Sequence, residues 1–122
     1  MTKGTGSFVP LDESARAILI ALLAEPFPGR DEVALQVEVA EARLMDNDGS
    51  LALRAPDAAP AQVMYRVPVE GIAPDVDGVG IHVLLHVVDG LINEMEVYRE
   101  DGQLPKGPIV PATMKLVTLP AT

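Results

Sequence analysis

The sequence predicts an α+β fold: an antiparallel meander sheet of five or six strands with one or two N-terminal helices packed on one face. The strongest indication is the stretch 79–102, where two alternating apolar runs are joined at residues 88–90. A second indication is the broad apolar run ahead of Pro26, which is typical of a buried helix. Short loops, several of them Asp-Gly turns, separate the other strand-like runs and leave no room for the crossover helices that parallel strands need.

The bulk composition favours one domain, 1–122, in a reducing compartment. A chain of 122 residues can bury roughly two-thirds of its unfolded surface without disulfides or a metal. The absence of cysteine excludes a disulfide framework and thiol chemistry. We therefore expect a cytoplasmic protein.

The charge of the chain argues against polyanionic partners. The net charge is -9, so phosphate backbones and anionic membranes should be repelled. Aromatic residues make up only 3% of the chain, and no basic run is interleaved with them to stack on single strands. We expect neither nucleic acid nor a membrane as a partner.

The first helix is predicted at 11–25. Asp12 or Ser14 can cap it, and Pro26 ends it. One apolar stripe should face the core, and it consists of Ala15, Ile18, Leu19, Leu22 and Leu23. A second apolar side could meet another copy of the chain, and it consists of Ala17, Ile20, Ala21 and Ala24.

A secretory signal peptide is the competing interpretation of the same run. Acidic residues rather than basic ones precede it, which disfavours that interpretation. Ten apolar residues are also far too few to span a bilayer.

The middle of the chain reads as alternating strands and turns. Residues 31–39 are ambiguous between helix and strand, and we predict a short helix there, followed by strands near 42–45 and 50–55. A further strand is predicted at 62–70, with Pro68 at an edge or a bulge, and a loop at 71–78. At the ends we predict a loose tail at 1–7 and an irregular Pro-rich segment at 103–122 with a short strand near 114–119.

The register of the central hairpin decides which of its side chains share a face. A two-residue loop would place Leu85 opposite Glu94 and mix carboxylates into the apolar face. A three-residue loop, 88–90 with a left-handed Gly90, instead places Val83 opposite Met95. We therefore predict the three-residue loop.

This register separates an apolar face from a polar one. The apolar face, which the helices should cover, consists of Ile81, Val83, Leu85, Met95 and Val97. The polar face, which is the candidate binding surface, consists of His82, His86, Glu94, Glu96 and Tyr98. On it we expect His82 to face Glu96, with His86 diagonal to Glu94.

Four phrases of the sequence resemble a family of small uncharacterised bacterial proteins: LLAEPFPGRDE, DNDGSLAL, PVEGIAPDVDGVGIHVLLHVVDG and LINEMEVYREDG. Members run from an LL-x-x-x-FPG-R-E-E-like opening to an E-[LM]-E-[IV]-Y-R-x-DG-like close, and the likeness covers about residues 21–102. Asn93 and Met95 stand where Ser and Leu would be expected. The resemblance implies a single α+β domain and no assigned activity. Some small acidic bacterial proteins of this general kind act as antidotes to secreted toxins, which is an analogy only.

Two Asp-x-Asp-Gly segments, 46–49 and 75–78, resemble fragments of calcium loops. An EF-hand needs an acid two residues earlier and a closing Glu, and both segments lack these. We predict ordinary turns, in which Asp bonds its own backbone and Gly takes positive φ.

The two histidines invite a metal interpretation, which we do not adopt. On a strand, four residues separate His82 from His86 by roughly 13 Å, so one ion cannot take both. Only His82 with Glu96 is expected to converge, and a complete site needs three or four ligands. We predict no metal and no other cofactor, and we assign Arg99 to the charged end of a strand.

Three functional hypotheses remain. The first is a non-enzymatic module whose acidic polar face binds a basic protein partner, with an antidote or immunity-like protein as one form of this role. The second is a small enzyme that uses His82 and Glu96, although the sequence contains no G-x-S-x-G motif, no phosphate-binding glycine loop and no Cys, and we assign no catalytic residue. The third is a structural homodimer through helix 11–25.

Overall fold

The computed structural model describes residues 6–119. Within these residues the α-helices are α1 (Glu13–Leu22) and α2 (Arg30–Glu38), and a single 3₁₀ turn occupies Pro111–Thr113. The seven strands are β1 (Val9–Pro10), β2 (Glu41–Leu44), β3 (Leu51–Arg54), β4 (Val69–Pro74), β5 (Gly80–Val88), β6 (Leu91–Arg99) and β7 (Lys115–Thr118). The first five residues of the tail predicted at 1–7, and residues 120–122, lie outside the described residues.

All strand pairs are antiparallel, and the strand order is β1-β2-β3-β6-β5-β4-β7. Two meanders, β1-β2-β3 and β4-β5-β6, therefore join where β3 pairs with β6. The predicted α+β class is confirmed, with seven strands instead of five or six. β5 and β6 carry the polar face. Both lie in the middle of the sheet, where each is hydrogen bonded to a strand on either side.

The first helix lies within the predicted segment 11–25 but is shorter, because it occupies only Glu13–Leu22. The Asp12 Oδ1 atom accepts a hydrogen bond from Ala15 N at 2.7 Å, which caps the helix. The predicted core stripe is confirmed, because all five of its members are buried. Neither helix of residues 6–119 has the length and apolar run needed to cross a bilayer.

The ambiguous segment after Gly29 is a helix, α2, as predicted. Val33 and Val37 belong to the alternation that suggested a strand. On the helix they are four residues apart, so both face the core. The two helices cover the predicted apolar face of the hairpin, and all of its members belong to one buried cluster with the helical residues.

The fourth strand differs from the prediction. Residues 62–68 of the predicted strand are irregular, and the strand occupies 69–74, so it extends into 71–74, where a loop was expected. The inward positions of β4 are Val69, Gly71 and Ala73, which are all buried. Two of the three are too small to give an apolar alternation. Gly71 is small for a reason, since a Cβ there would lie 3.0 Å from Leu22 Cδ2 and 2.8 Å from Met114 Sδ.

The register of the hairpin also differs from the prediction. The loop has two residues, because Val88 pairs with Leu91, and Asp89 and Gly90 take φ of 53° and 78°, as a type I′ turn requires. A β-bulge between His86 and Val87 then shifts the register. Val83 consequently faces Val97 instead of Met95. The bulge supplies the extra residue that restores the separation of faces, so the apolar face is still uniformly buried.

Gln36 is a polar residue in the core, and its side chain is completely hydrogen bonded. The Nε2 atom donates to Ala59 O at 2.9 Å and to Gly90 O at 2.8 Å, while Oε1 accepts from Ile92 N at 2.9 Å. One amide thus joins α2 to the turn of the hairpin and to the loop before β4.

Candidate functional site

The polar face lies on the side of the sheet away from the helices. All five predicted residues project there from β5 and β6, and Glu70 from β4 and Glu100 after β6 extend the same surface. The two histidines are half-buried, while Tyr98 is 39% exposed. The bulge and turn of the hairpin determine how these side chains pair.

His82 lies between two carboxylates. Its Nδ1 is 2.5 Å from Glu70 Oε2, and its Nε2 is 2.9 Å from Glu100 Oε1. Tyr98, its cross-strand neighbour, stacks on the imidazole with ring centroids 4.8 Å apart. Burial alone would lower the pKa of His82, but the hydrogen bonds to Glu70 and Glu100 outweigh it and raise the pKa. The arrangement therefore favours an imidazolium that donates from both nitrogens.

The phenol of Tyr98 responds to the same negative surroundings. Burial raises its pKa, and the charges of Glu70, Glu96 and Glu100 raise it further. Tyr98 consequently stays neutral and keeps its proton available for donation.

His86 has a different set of partners. Arg66 Nε donates to His86 Nδ1 at 3.0 Å, and His86 Nε2 lies 2.8 Å from Glu96 Oε1. Because Arg66 is only a donor, Nδ1 must accept, and the neutral ring carries its proton on Nε2. Glu94 lies directly across the strands from His86. One ligand atom from each of His86, Glu94 and Glu96 lies within 4.8 Å of the others.

The expected pairing on the polar face was wrong. His82 faces Tyr98 instead of Glu96, and His86 is directly opposite Glu94 instead of diagonal to it. Both errors follow from the two-residue loop together with the bulge, which shift the pairing by two residues. The expectation that only His82 and Glu96 converge is also wrong, because Glu96 bonds His86. The two residues on which the enzyme hypothesis depends, His82 and Glu96, are thus hydrogen bonded to different partners.

A buried ion cluster around Arg99 was missed. Arg99, with a side chain 2% exposed, donates to Asp75 at 2.8 Å, to Asp77 at 2.7 Å twice, and to Asp101 at 2.9 Å twice. Asp75 also accepts the backbone N–H groups of Lys106 and Gly107. The cluster ties the β4–β5 turn to the end of β6 and to the loop that follows.

The charges of this cluster stabilise one another. The hydrogen bond from the Lys106 N–H, together with Arg99 and against the effect of burial, lowers the pKa of Asp75. Hydrogen bonds from Arg99 lower the pKa values of Asp77 and Asp101, and Asp101, Asp77 and Asp75 raise the pKa of Arg99. A signal was present in the sequence, because the alternation Met95, Val97, Arg99 directs the arginine to the buried side, where it needs carboxylates.

The two Asp-x-Asp-Gly segments are turns, as predicted. Asp46 Oδ1 accepts from Asp48 N and Ser50 N, each at 3.0 Å, and Gly49 has φ 100°. In the second segment Gly78 has φ 90°. Its aspartates additionally bind Arg99, which the turn interpretation did not include.

The described clefts lie beside the polar face or away from it. Four clefts of about 220–390 Å³ are found in residues 6–119, and none of these four is lined by His82, His86 or Glu96. One of about 380 Å³ reaches Arg66 and Val87. The histidines and carboxylates project from the side of the sheet opposite the helices.

Comparison with known proteins gives a family without an activity. The model of the family described as Domain of unknown function (DUF6984) matches residues 9–105. The chain therefore belongs to this family. No curated protein and no solved structure matches the chain.

Proposed function

We propose that this member of the family is a non-enzymatic protein-binding module, whose polar face receives a basic segment of a partner protein. The observation that carries the proposal is the grouping of four glutamates on a sheet surface that no helix covers: Glu70, Glu94, Glu96 and Glu100. We further propose that it acts in the cytoplasm, since a chain without cysteine suits a reducing compartment. Binding that neutralises a basic toxin is the immunity-like form of this role.

Charge complementarity favours a basic partner. The four glutamates are opposed locally by Arg66 and by the imidazolium that His82 favours, so the surface retains negative charge. The whole chain adds a net charge of -9. Such a field attracts a cationic partner from a distance and accelerates its association.

The same geometry disfavours catalysis. His82 and His86 are each held by different glutamates, and the stacked Tyr98 covers one side of the His82 ring. Reaction sites are usually concave and exclude water, whereas this surface is an open strand face. Rigid side chains on an open sheet suit recognition of another surface.

The test measures the binding of a fluorescein-labelled oligolysine peptide to the protein by fluorescence anisotropy. EDTA is present to remove metal ions. Wild-type protein should bind, and its affinity should fall as salt is added. Glu94→Gln/Glu96→Gln should weaken binding by about fivefold or more, because it removes the central charges of the surface. The matched control is Glu32→Gln/Glu38→Gln, which removes two exposed charges from α2.

The control should retain wild-type affinity within about twofold. Equal weakening in both double variants would mean that only net charge matters. That result would refute the polar face as the binding surface.

A second candidate role is a homodimer through helix 11–25. Ile20 is 57% exposed on the outer side of α1, where a cleft of about 390 Å³ lies between the helices. A second copy could bury this apolar surface. Light scattering tests it: a dimeric mass that becomes monomeric in Ile20→Asp supports the role, and a monomeric wild type ends it.

A further inference from the structure

We propose that His86, Glu94 and Glu96 form a binding site for one divalent transition-metal ion, with Zn²⁺ as its natural probe. Each side chain offers one ligand atom, an imidazole nitrogen or a carboxylate oxygen, and these three atoms lie within 4.8 Å of one another. Ligands at about 2.0–2.2 Å from a zinc ion lie roughly 3–4 Å apart, so small side-chain rotations suffice. The site goes beyond the proposed protein-binding role, because it needs no partner protein.

The scaffold holds the three ligands in place. His86 lies on β5 and the glutamates on β6, the two central strands of the sheet. Glu94 pairs directly with His86, and Glu96 follows two residues later on the same side of the strand. The bulge next to His86 sets this register, and all three residues are half-buried.

The donor set suits a borderline metal. One imidazole nitrogen and two carboxylate oxygens are ligands that Zn²⁺ accepts, and solvent can complete the coordination from the open side. The two carboxylates also balance the charge of a divalent ion. A hard ion such as Mg²⁺ would gain less, because it prefers oxygen ligands and keeps its waters.

His82 provides an internal comparison with the same residue types. Its two glutamates, Glu70 and Glu100, bond opposite nitrogens of the ring. The lone pairs of those nitrogens point away from each other, so one ion cannot join the imidazole to both carboxylates. The geometry therefore assigns the ion to His86 and not to His82.

Arg66 opposes the ion in the metal-free protein. Its Nε–H occupies Nδ1 of His86 and keeps the ring proton on Nε2, which faces Glu96. When the ion takes the Nε2 lone pair, the ring proton moves to Nδ1, and Arg66 must leave. Arg66 is exposed, so its side chain can swing into solvent. Removal of Arg66 should therefore strengthen metal binding.

The test is isothermal titration of tag-free protein with ZnCl₂, compared with histidine side-chain NMR of the same samples. Wild type should bind one Zn²⁺ with a shift confined to the His86 imidazole. His86→Ala and Glu96→Gln should each weaken binding by at least about tenfold. Arg66→Met should strengthen it several-fold, because it removes both a positive charge and the donor at Nδ1.

The matched controls use the other histidine. His82→Gln and Glu100→Gln should bind Zn²⁺ like the wild type, and circular dichroism without metal shows that each variant is folded. Equal weakening by Glu96→Gln and Glu100→Gln would mean diffuse attraction of cations to an acidic chain. That outcome, a shift at His82, or no binding by Arg66→Met would overturn the proposal.

Discussion

Replacement of Gln36 should destabilise the protein more than any exposed substitution on α2. The side chain is 1% exposed and makes three hydrogen bonds, two as a donor and one as an acceptor. Gln36→Leu keeps the approximate volume and removes all three. The change therefore isolates the polar contribution of one side chain.

The magnitude follows from what each partner loses. Ile92 N–H loses a buried acceptor, which costs about 1–3 kcal/mol. The carbonyls of Ala59 and Gly90 each lose a bond worth about 1 kcal/mol, and Gly90 O keeps its bond from Ala61 N. Burial of the apolar leucine offsets part of this cost, so we expect a net loss of about 2–4 kcal/mol.

Gln36→Glu should be worse than Gln36→Leu. It directs a carboxylate oxygen, in place of the amide nitrogen, towards the carbonyl oxygens of Ala59 and Gly90. The matched control is Glu38→Gln, an exposed change on the same helix, which should stay within about 0.5 kcal/mol of wild type.

The assay is urea unfolding followed by far-UV circular dichroism, because the chain has no tryptophan. A Gln36→Leu variant as stable as wild type would refute the reasoning. So would a Gln36→Glu variant that is more stable than Gln36→Leu.

Three further predictions concern turns and charges. Gly90→Ala should lower the free energy of unfolding in urea by about 1–3 kcal/mol more than Gly49→Ala does. Both glycines have positive φ, but only the methyl group at position 90 would meet backbone atoms, the nearest at 2.7 Å. Equal losses of stability would contradict this prediction. Arg99→Met should destabilise the protein most above about pH 4 and least in acid. The pKa values of its aspartate partners, Asp75 among them, are lowered in the folded protein, so the stability they give is lost as the pH falls through those pKa values. A loss of stability that does not depend on pH would contradict this prediction. His82→Gln should destabilise more below about pH 6.5 than at high pH, because a raised pKa gives stability that is lost as the pH rises through it; the opposite trend in thermal melting would exclude the imidazolium.

Much of the fold could be predicted because apolar periodicity records burial directly. The stripe of α1 and the apolar face of the hairpin are both composed of large side chains at regular intervals. The separation of the faces was correct even with the wrong register. A shift of two residues changes the cross-strand partners but keeps every side chain on its own side.

The rest depends on contacts that periodicity does not record. β4 has the small residues Gly71 and Ala73 at inward positions, so its alternation is invisible in the sequence, and at Gly71 the space is taken by Leu22 and Met114. The bulge beside His86 is a local change of pairing with no marker of its own in the sequence.

The residues of the candidate site could be predicted from the sequence, but their hydrogen-bond partners could not. Each of the five residues lies on the expected side of the sheet. Glu70 and Glu100, which bind His82, come from outside the paired strands β5 and β6. Two of the three aspartates that bind Arg99 are Asp75 and Asp77, which lie in the β4–β5 turn, 24 and 22 residues earlier in the sequence. Such long-range pairs become visible only when the chain is folded.

The most direct measurement of the central claim is a long-range ¹H–¹⁵N NMR spectrum of the two imidazoles. We predict that His82 retains protons on both nitrogens to higher pH than an unperturbed histidine. Neutral His86 should carry its proton on Nε2, opposite Glu96. A His82 that loses its second proton like an unperturbed imidazole, or a neutral His86 with the mixture of tautomers of a free imidazole, would contradict a polar face on which carboxylates and Arg66 hold the rings.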